Sequence, residues 1–221
     1  MRKIYLKMGL TGLAAILVSL FSISCSRNIN KLNLSKGDDL SAWNFFIDPS
    51  TNVNPADVFS IKGGVIKISG SPFGYMYTKS KFSNFKLTLE WKYPTNPSNS
   101  GIFLFVQNPN LWPNAVECQL KSGDAGDFVL LGGSNISQYK PKAGEKRPEF
   151  PVVKKYKPSN EKPVGQWNSA EILCRDGDIK VFINGELQNE ASDSMHKIGA
   201  IALQSEGGEI WFRKVEVQSL E

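Results

Sequence analysis

Short apolar–polar alternations separated by tight turns constrain the fold of this chain more than any other feature. From Phe85 to Trp91, apolar residues take every second position, which is the pattern of a strand with one buried face. The same alternation runs on both sides of Gly63-Gly64, while Asp176-Gly177 and Asn184-Gly185 mark further tight turns. Beyond the N-terminal leader, no stretch shows a helical period of average length. The pattern predicts an all-β fold, a two-sheet antiparallel sandwich.

The N-terminal leader has the order of a targeting signal. Basic residues in the first seven positions precede an apolar run from Met8 to Ile23, and Cys25 follows almost at once. This order predicts a lipoprotein signal peptide over residues 1–24, acylation of Cys25, and a membrane-anchored protein of the cell envelope. Such sites usually have Leu three residues before the cysteine, where this chain has Ser22. An uncleaved membrane anchor and plain secretion therefore stay open.

Without the leader, the charge balance is close to neutral. The chain has 26 basic and 21 acidic residues, and removing the leader's three basic residues leaves 23 against 21. So small an excess gives no reason to expect a nucleic-acid partner. We assign residues 25–39 to the acylated cysteine and a polar tether, and residues 40–221 to a single sandwich domain.

A few residues and one segment limit the chemistry. Cys118 and Cys174 each share a strand face with an apolar residue two positions away, which predicts two buried hydrophobes, although a disulfide between them stays open. The single histidine, His196, lies in a polar connection, and no G-x-S-x-G motif occurs. From Ser137 to Gly165 the alternation stops and five prolines occur among lysines. A segment of this length is either functional, as a lid or an anionic-glycan contact, or a mobile loop.

Polar residues of an unusual kind interrupt the predicted strands. Glu117 and Gln119 share one face of a strand whose other face is apolar. The full set comprises Glu90, Asn99, Glu117, Gln119, Gln204 and Glu206. We expect these side chains to line one concave sheet face, a surface suited to sugars, whose hydroxyls need paired donors and acceptors. The alternative is that they are solvated positions on an exposed face.

Several motifs together resemble a known family. They are Asn99-Ser100-Gly101, Glu117-x-Gln119, Gly165-Gln166-Trp167-Asn168, Asn184-Gly185, Leu203-Gln204 and Trp211-Phe212-Arg213. Their order and spacing resemble the 3-keto-disaccharide hydrolase domain, over roughly Leu40 to Leu220. The resemblance implies a concanavalin A-like jelly roll and an envelope enzyme that acts on oxidised sugars.

The resemblance matches Glu117 and Gln119 to the family's E-x-Q strand, Asn99 to its N-S-G loop and Gln204 to its L-Q motif. Together with the strand pattern, this gives Glu117 and Glu206 as the expected catalytic carboxylates and Asn99, Gln119, Gln204 and Glu90 as the expected substrate contacts. Glu206 stands where many members of the family carry His after the L-Q-x motif, so this chain either substitutes a carboxylate for that His or has lost its step. Arg213 is expected to form a structural ion pair beneath the site. The cofactor is left open, with a divalent metal as one option.

We consider three functions for this protein. The first is cleavage of 3-keto-disaccharides or 3-keto-glycosides, in which a base removes the C2 proton, elimination breaks the glycosidic bond and water then adds. Glu117 or Glu206 is the expected base. The second is a non-catalytic carbohydrate-binding lipoprotein module, because the fold alone does not imply activity. The third, a laminarinase-type endoglucanase, lacks the second and third carboxylates of its E-x-D-x-x-E strand after Glu117.

Overall fold

The structure, a computed structural model, describes residues 31–220 as a sandwich of short strands. The strands are β1 (Lys31–Asn33), β2 (Trp43–Ile47), β3 (Phe59–Lys62), β4 (Val65–Ile68), β5 (Gly74–Thr78), β6 (Phe85–Lys92), β7 (Gly101–Val106), β8 (Ala115–Gln119), β9 (Phe128–Leu131), β10 (Val152–Val153), β11 (Asn168–Arg175), β12 (Asp178–Ile183), β13 (Glu186–Ala191), β14 (Ala200–Ser205) and β15 (Ile210–Ser219). One short helix, α1 (Pro55–Val58), precedes β3.

The strands form two antiparallel sheets. The back sheet has the order β13-β12-β11-β6-β15-β4-β3, and β1 pairs with the far end of β15. The front sheet has the order β10-β9-β8-β7-β14-β5-β2. Apolar side chains from both sheets fill the space between them and form the main core. The predicted two-sheet antiparallel sandwich is confirmed.

The turn residues fit the hairpins that they close. Gly63 and Gly64 both have positive φ, 58° and 74°, between the paired residues Lys62 and Val65. Two successive positive φ angles define the turn that best matches the twist of a two-residue hairpin. The predicted hairpin is therefore present as β3–β4. Cys118 and Cys174 are both buried and unbridged, as small apolar side chains of the core.

The folded domain includes residues that the sequence assigned to a tether. β1 pairs with β15, and the Leu34 side chain is only 2% exposed within the core. The indole of Trp43 donates to the Leu34 carbonyl at 2.9 Å. The folded domain therefore begins before the predicted start at Leu40. The polar composition of the segment before Leu40 gave no sign that Leu34 belongs to the core. The predicted signal peptide and Cys25 lie outside the described residues.

The proline-rich segment is fixed to the front sheet along part of its length. Val152 and Val153 form the edge strand β10 against β9. Next to them, Lys154 Nζ lies 2.7 Å from a carboxylate oxygen of Asp127, whose side chain is 2% exposed. Between residues 31 and 220, no helix is both long and apolar enough to span a membrane.

We expect Leu34→Ala to lower the free energy of unfolding by about 2–5 kcal/mol, because the substitution leaves a cavity in the core. The matched control is Leu32→Ala on the same segment, where the side chain is 44% exposed and the loss should stay within about 0.5 kcal/mol. Urea unfolding of both variants measures the difference. Equal losses would show that the segment before Leu40 does not belong to the core.

Candidate active site

The outer face of the front sheet carries a carboxylate among apolar side chains. Glu117 on β8 faces Phe103 on β7 and Val129 on β9. The side chains of Tyr75, Phe103, Val129 and Ala202 form a second apolar cluster on this face. Glu117 itself is only 3% exposed. The expectation that Glu117 points away from the core is thus confirmed, yet the side chain is buried rather than solvated.

Each residue of the Asn99-Ser100-Gly101 motif has its own structural role. Asn99 pairs with the backbone of Glu206, which joins the loop before β7 to the end of β14. The Ser100 hydroxyl donates to the Gln204 carbonyl at 2.8 Å. Gly101 leaves room for the Glu117 side chain, since a Cβ at this position would lie 2.0 Å from Glu117 Oε1. The motif therefore forms the surface next to the Glu117 side chain.

The environment of the Glu117 carboxyl favours its neutral form. Burial raises the pKa of Glu117 well above its ordinary value, and the negative charge of Glu206 raises it further. Its Oε1 atom has no hydrogen-bond partner among the described residues. A buried polar atom without a partner costs free energy. This atom is therefore a candidate contact for a substrate or an ion.

Glu206 has a more polar environment than Glu117. Its Oε2 atom accepts a hydrogen bond from Gln204 Nε2 at 2.7 Å. Burial raises the pKa of Glu206, but the amides of Asn99 and Gln204 and the charge of Lys121 oppose the rise. The structure therefore brings together Asn99, Glu117, Gln204 and Glu206. Two carboxyl groups with unlike environments can divide acid and base roles between them.

Gln119 lies on the same face, but its carbonyl oxygen already has partners. Oε1 accepts from the backbone N–H groups of Leu120 at 3.0 Å and Lys121 at 2.9 Å. Only its amide nitrogen is left to contact a substrate. The Asp127 carbonyl, just before β9, accepts the backbone N–H of Gln119, and the Asp127 side chain pairs with Lys154. Sequence reasoning missed this pair, because the two residues are far apart in the chain and Lys154 lies in the segment without alternation.

An aromatic chain crosses the other half of the outer face. The Trp112 ring lies 4.4 Å from Phe73 and 4.7 Å from Phe150, between ring centroids. Phe73 precedes β5 and Phe150 precedes β10, so the three stacked rings connect opposite sides of the front sheet. The Tyr75 hydroxyl donates to the Asn110 carbonyl at 2.8 Å and holds the loop of Trp112 in place. These rings cover the apolar part of the face.

The prediction that Glu90 shares this face is wrong. Glu90 lies on β6, in the back sheet, and binds Arg213 at 2.5 Å and Lys214 at 2.7 Å. Burial tends to raise the pKa of Glu90, but hydrogen bonds from Lys214 and Arg213 outweigh it, and the pKa is lowered. The chain crosses between sheets in the loop from β6 to β7. Alternation identifies a face of a strand but not the sheet to which the strand belongs. Arg213 is consequently not beneath the site either.

Three buried oxygen atoms at this site are of the kind that a hard cation takes as ligands, but the raised pKa of Glu117 opposes its use as a charged ligand. Glu117 Oε1, Gln204 Oε1 and Asn99 Oδ1 are all buried and without partners among the described residues. Carboxylate and amide oxygens are ligands for Mg²⁺ and Ca²⁺. Residues 31–220 contain no cluster of three or more His, Cys, Asp or Glu that could hold a metal ion. A cation here would therefore depend on the amide oxygens.

The fold and the site together define the class of protein: a jelly-roll sandwich with a polar site on the outer face of one sheet. The chain belongs to the 3-keto-alpha-glucoside-1,2-lyase-like domain family, whose model matches residues 30–218. The family resemblance drawn from the sequence motifs is thereby confirmed.

Known proteins agree with this placement. A 3-keto-disaccharide hydrolase of Bacteroides thetaiotaomicron is 27% identical over 214 residues, covering 74% of this chain and 70% of that protein. A proposed glycosyl hydrolase of Parabacteroides distasonis has a similar structure, with a TM-score of 0.64, 19% identity, and coverage of 86% of this chain and 94% of that one. The carbohydrate-binding module CBM66 of Bacillus subtilis follows, with a TM-score of 0.58, 10% identity, and coverage of 80% and 96%. These structural neighbours confirm the concanavalin A-like jelly roll.

The raised pKa of Glu117 makes stability depend on pH. Between the pKa of an unfolded glutamate, about 4.3, and the higher folded pKa, the folded state binds more protons than the unfolded state. The free energy of unfolding must therefore fall as pH rises through this window. Glu117→Gln removes the titrating group, so we expect the variant to gain stability over the parent protein as pH rises from about 5 to 8.

Urea unfolding at several pH values measures this gain. Glu145→Gln, at an exposed position in the proline-rich segment, is the matched control and should follow the parent protein. A difference between Glu117→Gln and the parent that stays constant across this pH range would mean that Glu117 is not held neutral by the fold.

Proposed function

We propose that this protein cleaves the glycosidic bond of 3-keto-disaccharides or 3-keto-glycosides, by elimination followed by addition of water. The observation that carries the proposal is the pair of carboxyl groups in unlike environments, the buried Glu117 and the more polar Glu206. Membership of the 3-keto-alpha-glucoside-1,2-lyase-like family supports the substrate class. The name of the Bacteroides relative supports it as well.

The substrate's own chemistry makes elimination feasible. A ketone at C3 acidifies the proton on C2, and the glycosidic oxygen on C1 is then β to the carbonyl. A base removes the C2 proton, and the C–H electron pair forms a C2=C3 double bond, which leaves negative charge on the C3 oxygen as an enolate. When the ketone re-forms, the electron pair makes a C1=C2 double bond, the glycosidic C1–O bond breaks and the leaving alkoxide takes a proton. Water then adds to the resulting unsaturated ketone, which completes the net hydrolysis.

The environments of the two carboxyl groups assign the roles. Glu206 is the base, because it is half-buried and the amides of Asn99 and Gln204 favour its charged form. Glu117 is the acid, because burial keeps its proton. A neutral carboxyl can donate a hydrogen bond to the ketone oxygen as negative charge develops there. The Gln204 amide nitrogen donates a hydrogen bond to Glu206, and Gln204 Oε1 has no hydrogen-bond partner among residues 31–220. Gln204 can therefore orient the base with one atom and a sugar hydroxyl with the other.

The remaining polar groups contact and position the sugar. Asn99 Oδ1 has no hydrogen-bond partner among residues 31–220, and it is placed to accept from a hydroxyl. Gln119 offers only its amide nitrogen, because its oxygen holds the backbone of the next two residues. The alternative is that Glu117 is ionised and, with oxygens of Gln204 and Asn99, would hold a divalent cation that polarises the ketone oxygen in place of the neutral carboxyl. Loss of turnover on chelator treatment would indicate the cation, and unchanged turnover would indicate the neutral carboxyl.

The second candidate is a non-catalytic carbohydrate-binding module. Its support is the fold similarity to a carbohydrate-binding module and the closure of the site, since Glu117 and Gln204 are 3% and 1% exposed. A binding module needs no carboxyl group in the protonated state. The pair of carboxyl groups at one end of the outer face therefore favours the enzyme.

Deuterium incorporation tests the reaction. We expect turnover of a 3-keto-disaccharide in deuterium oxide to place deuterium at C2 of the sugar product, because C2 loses and regains a proton. Glu206→Gln should lower kcat by roughly 10²–10⁴-fold, the usual contribution of a general base, while sugar binding persists. Glu117→Gln should also lower kcat, since a primary amide is a weaker proton donor than a carboxyl group.

Controls separate the alternatives in this test. Glu145→Gln is a remote Glu→Gln substitution and should keep full turnover. Turnover without deuterium at C2 rules out elimination. Normal turnover in both site variants places catalysis elsewhere, and binding of keto-sugars without any turnover by the parent protein establishes the binding module.

We also propose that Cys25 is acylated and anchors the domain to a membrane of the cell envelope. The support is the order of the leader: basic residues, an apolar run and then this cysteine. Because β1 begins at Lys31, the intervening chain reaches about 20 Å at most. We expect an alkyne fatty acid fed to the expressing bacteria to label the parent protein and Cys118→Ala, but not Cys25→Ala. A parent protein without label contradicts the proposal.

A further inference from the structure

A row of alternating basic and aromatic side chains crosses the outer face of the back sheet. Trp211 on β15 pairs with Lys67 on β4 and with Lys92 on β6. On the far side of Lys92 comes Trp167, which directly precedes the residue paired with Trp91. Four positions on adjacent strands therefore read Lys67, Trp211, Lys92, Trp167. We call them the Lys–Trp row. It lies in the opposite sheet from Glu117.

Each ammonium group of the row lies over an indole ring. Lys67 Nζ is 4.3 Å and Lys92 Nζ is 4.6 Å from the centroid of Trp211, and Lys92 Nζ is also 5.0 Å from that of Trp167. The Arg213 guanidinium lies 4.1 Å from the Trp167 centroid. Cation–π contacts fix the positions of the charges without neutralising them. The row therefore presents positioned cations.

The two lysines of the row differ from most other lysines on the strands of the same sheet. Lys31, Lys86 and Lys180 each pair with a carboxylate. Within residues 31–220, neither Lys67 nor Lys92 forms an ion pair, although both are half-buried. Nearby carboxylates are already bound elsewhere, since Glu90 pairs with Arg213 and Glu209 accepts from the Trp211 indole at 2.6 Å. The two lysine charges are thus available to an external anion.

A cavity continues from the row along the same face. Its volume is about 460 Å³, and its lining includes Thr88, Glu90, Ser169, Glu171, Phe182 and Lys214. Hydroxyl, carboxylate and ammonium groups here stand beside an aromatic ring. This mixture is suited to sugar hydroxyls and to the apolar faces of sugar rings.

We propose that the Lys–Trp row and the adjoining cavity bind an anionic polysaccharide, one whose sugars carry carboxylate or sulfate groups. The row spans three inter-strand spacings of about 4.8 Å, or roughly 14 Å, which suits an extended chain rather than a single sugar. The unpaired ammonium groups complement the negative charges, and the polar cavity complements a neighbouring sugar. This binding is independent of the reaction on the front sheet. It gives the domain a second glycan contact on its opposite face.

Binding to defined polymers tests the proposal. We expect the purified domain to bind polygalacturonic acid or dextran sulfate, but not neutral dextran, and the affinity to fall as salt rises because exposed charges are screened. Lys67→Gln combined with Lys92→Gln should weaken binding by about tenfold, the scale expected for losing two partly exposed charge contacts. Binding isotherms from biolayer interferometry supply the dissociation constants, and turnover of a 3-keto-disaccharide should be unchanged in this double variant.

The matched control is Lys81→Gln combined with Lys197→Gln, two exposed lysines near the other end of β6. It removes the same net charge and should keep the affinity of the parent protein. Equal weakening in both double variants reduces the effect to net charge and overturns the proposal. So does absence of binding to both charged polymers at low salt, or tighter binding to single-stranded DNA than to either.

Discussion

A carboxyl group buried beside a glycine is the constraint on which the candidate site depends. Glu117 lies among apolar side chains of the front sheet, and it fits because Gly101 has no Cβ to occupy the same space. Burial then makes ionisation of Glu117 costly, and the charge of Glu206 adds to that cost. The environment of Glu117 thus disfavours its charged form more strongly than that of Glu206 does. The proposed division of acid and base roles rests on this difference.

The sandwich supplies the rigid support that the pair needs. Glu117 lies on β8, an inner strand of the front sheet. Glu206 directly follows β14, another inner strand, and pairs with Asn99 in the loop before β7, which Ser100 ties to the Gln204 carbonyl. The carboxyl groups therefore stand on or next to paired strands rather than on free loops. Sites held on regular elements keep their geometry better than sites on loops. The back sheet is left free to carry a separate binding surface.

Alternation and turn residues in the sequence were sufficient to predict the sandwich and the direction of Glu117, because both depend on local geometry. The same reasoning failed for Glu90, whose polar face belongs to the other sheet, because sheet membership depends on long-range pairing. It also missed Leu34 in the core and the Asp127–Lys154 pair. Each of these depends on contacts between distant residues. The burial of Glu117 could not be read from the sequence either, since its neighbours Phe103 and Val129 lie on adjacent strands.

The most direct test is a titration of the glutamate side-chain carboxyl carbons by NMR, with Glu117→Gln and Glu206→Gln to assign the two signals. We expect Glu117 to titrate well above the ordinary range of a glutamate and above Glu206. Removing the charge in Glu206→Gln should lower the pKa of Glu117. A Glu117 signal that titrates near the ordinary value of about 4.3, or whose pKa is unchanged in Glu206→Gln, would show that the two carboxyl groups are not coupled in this way.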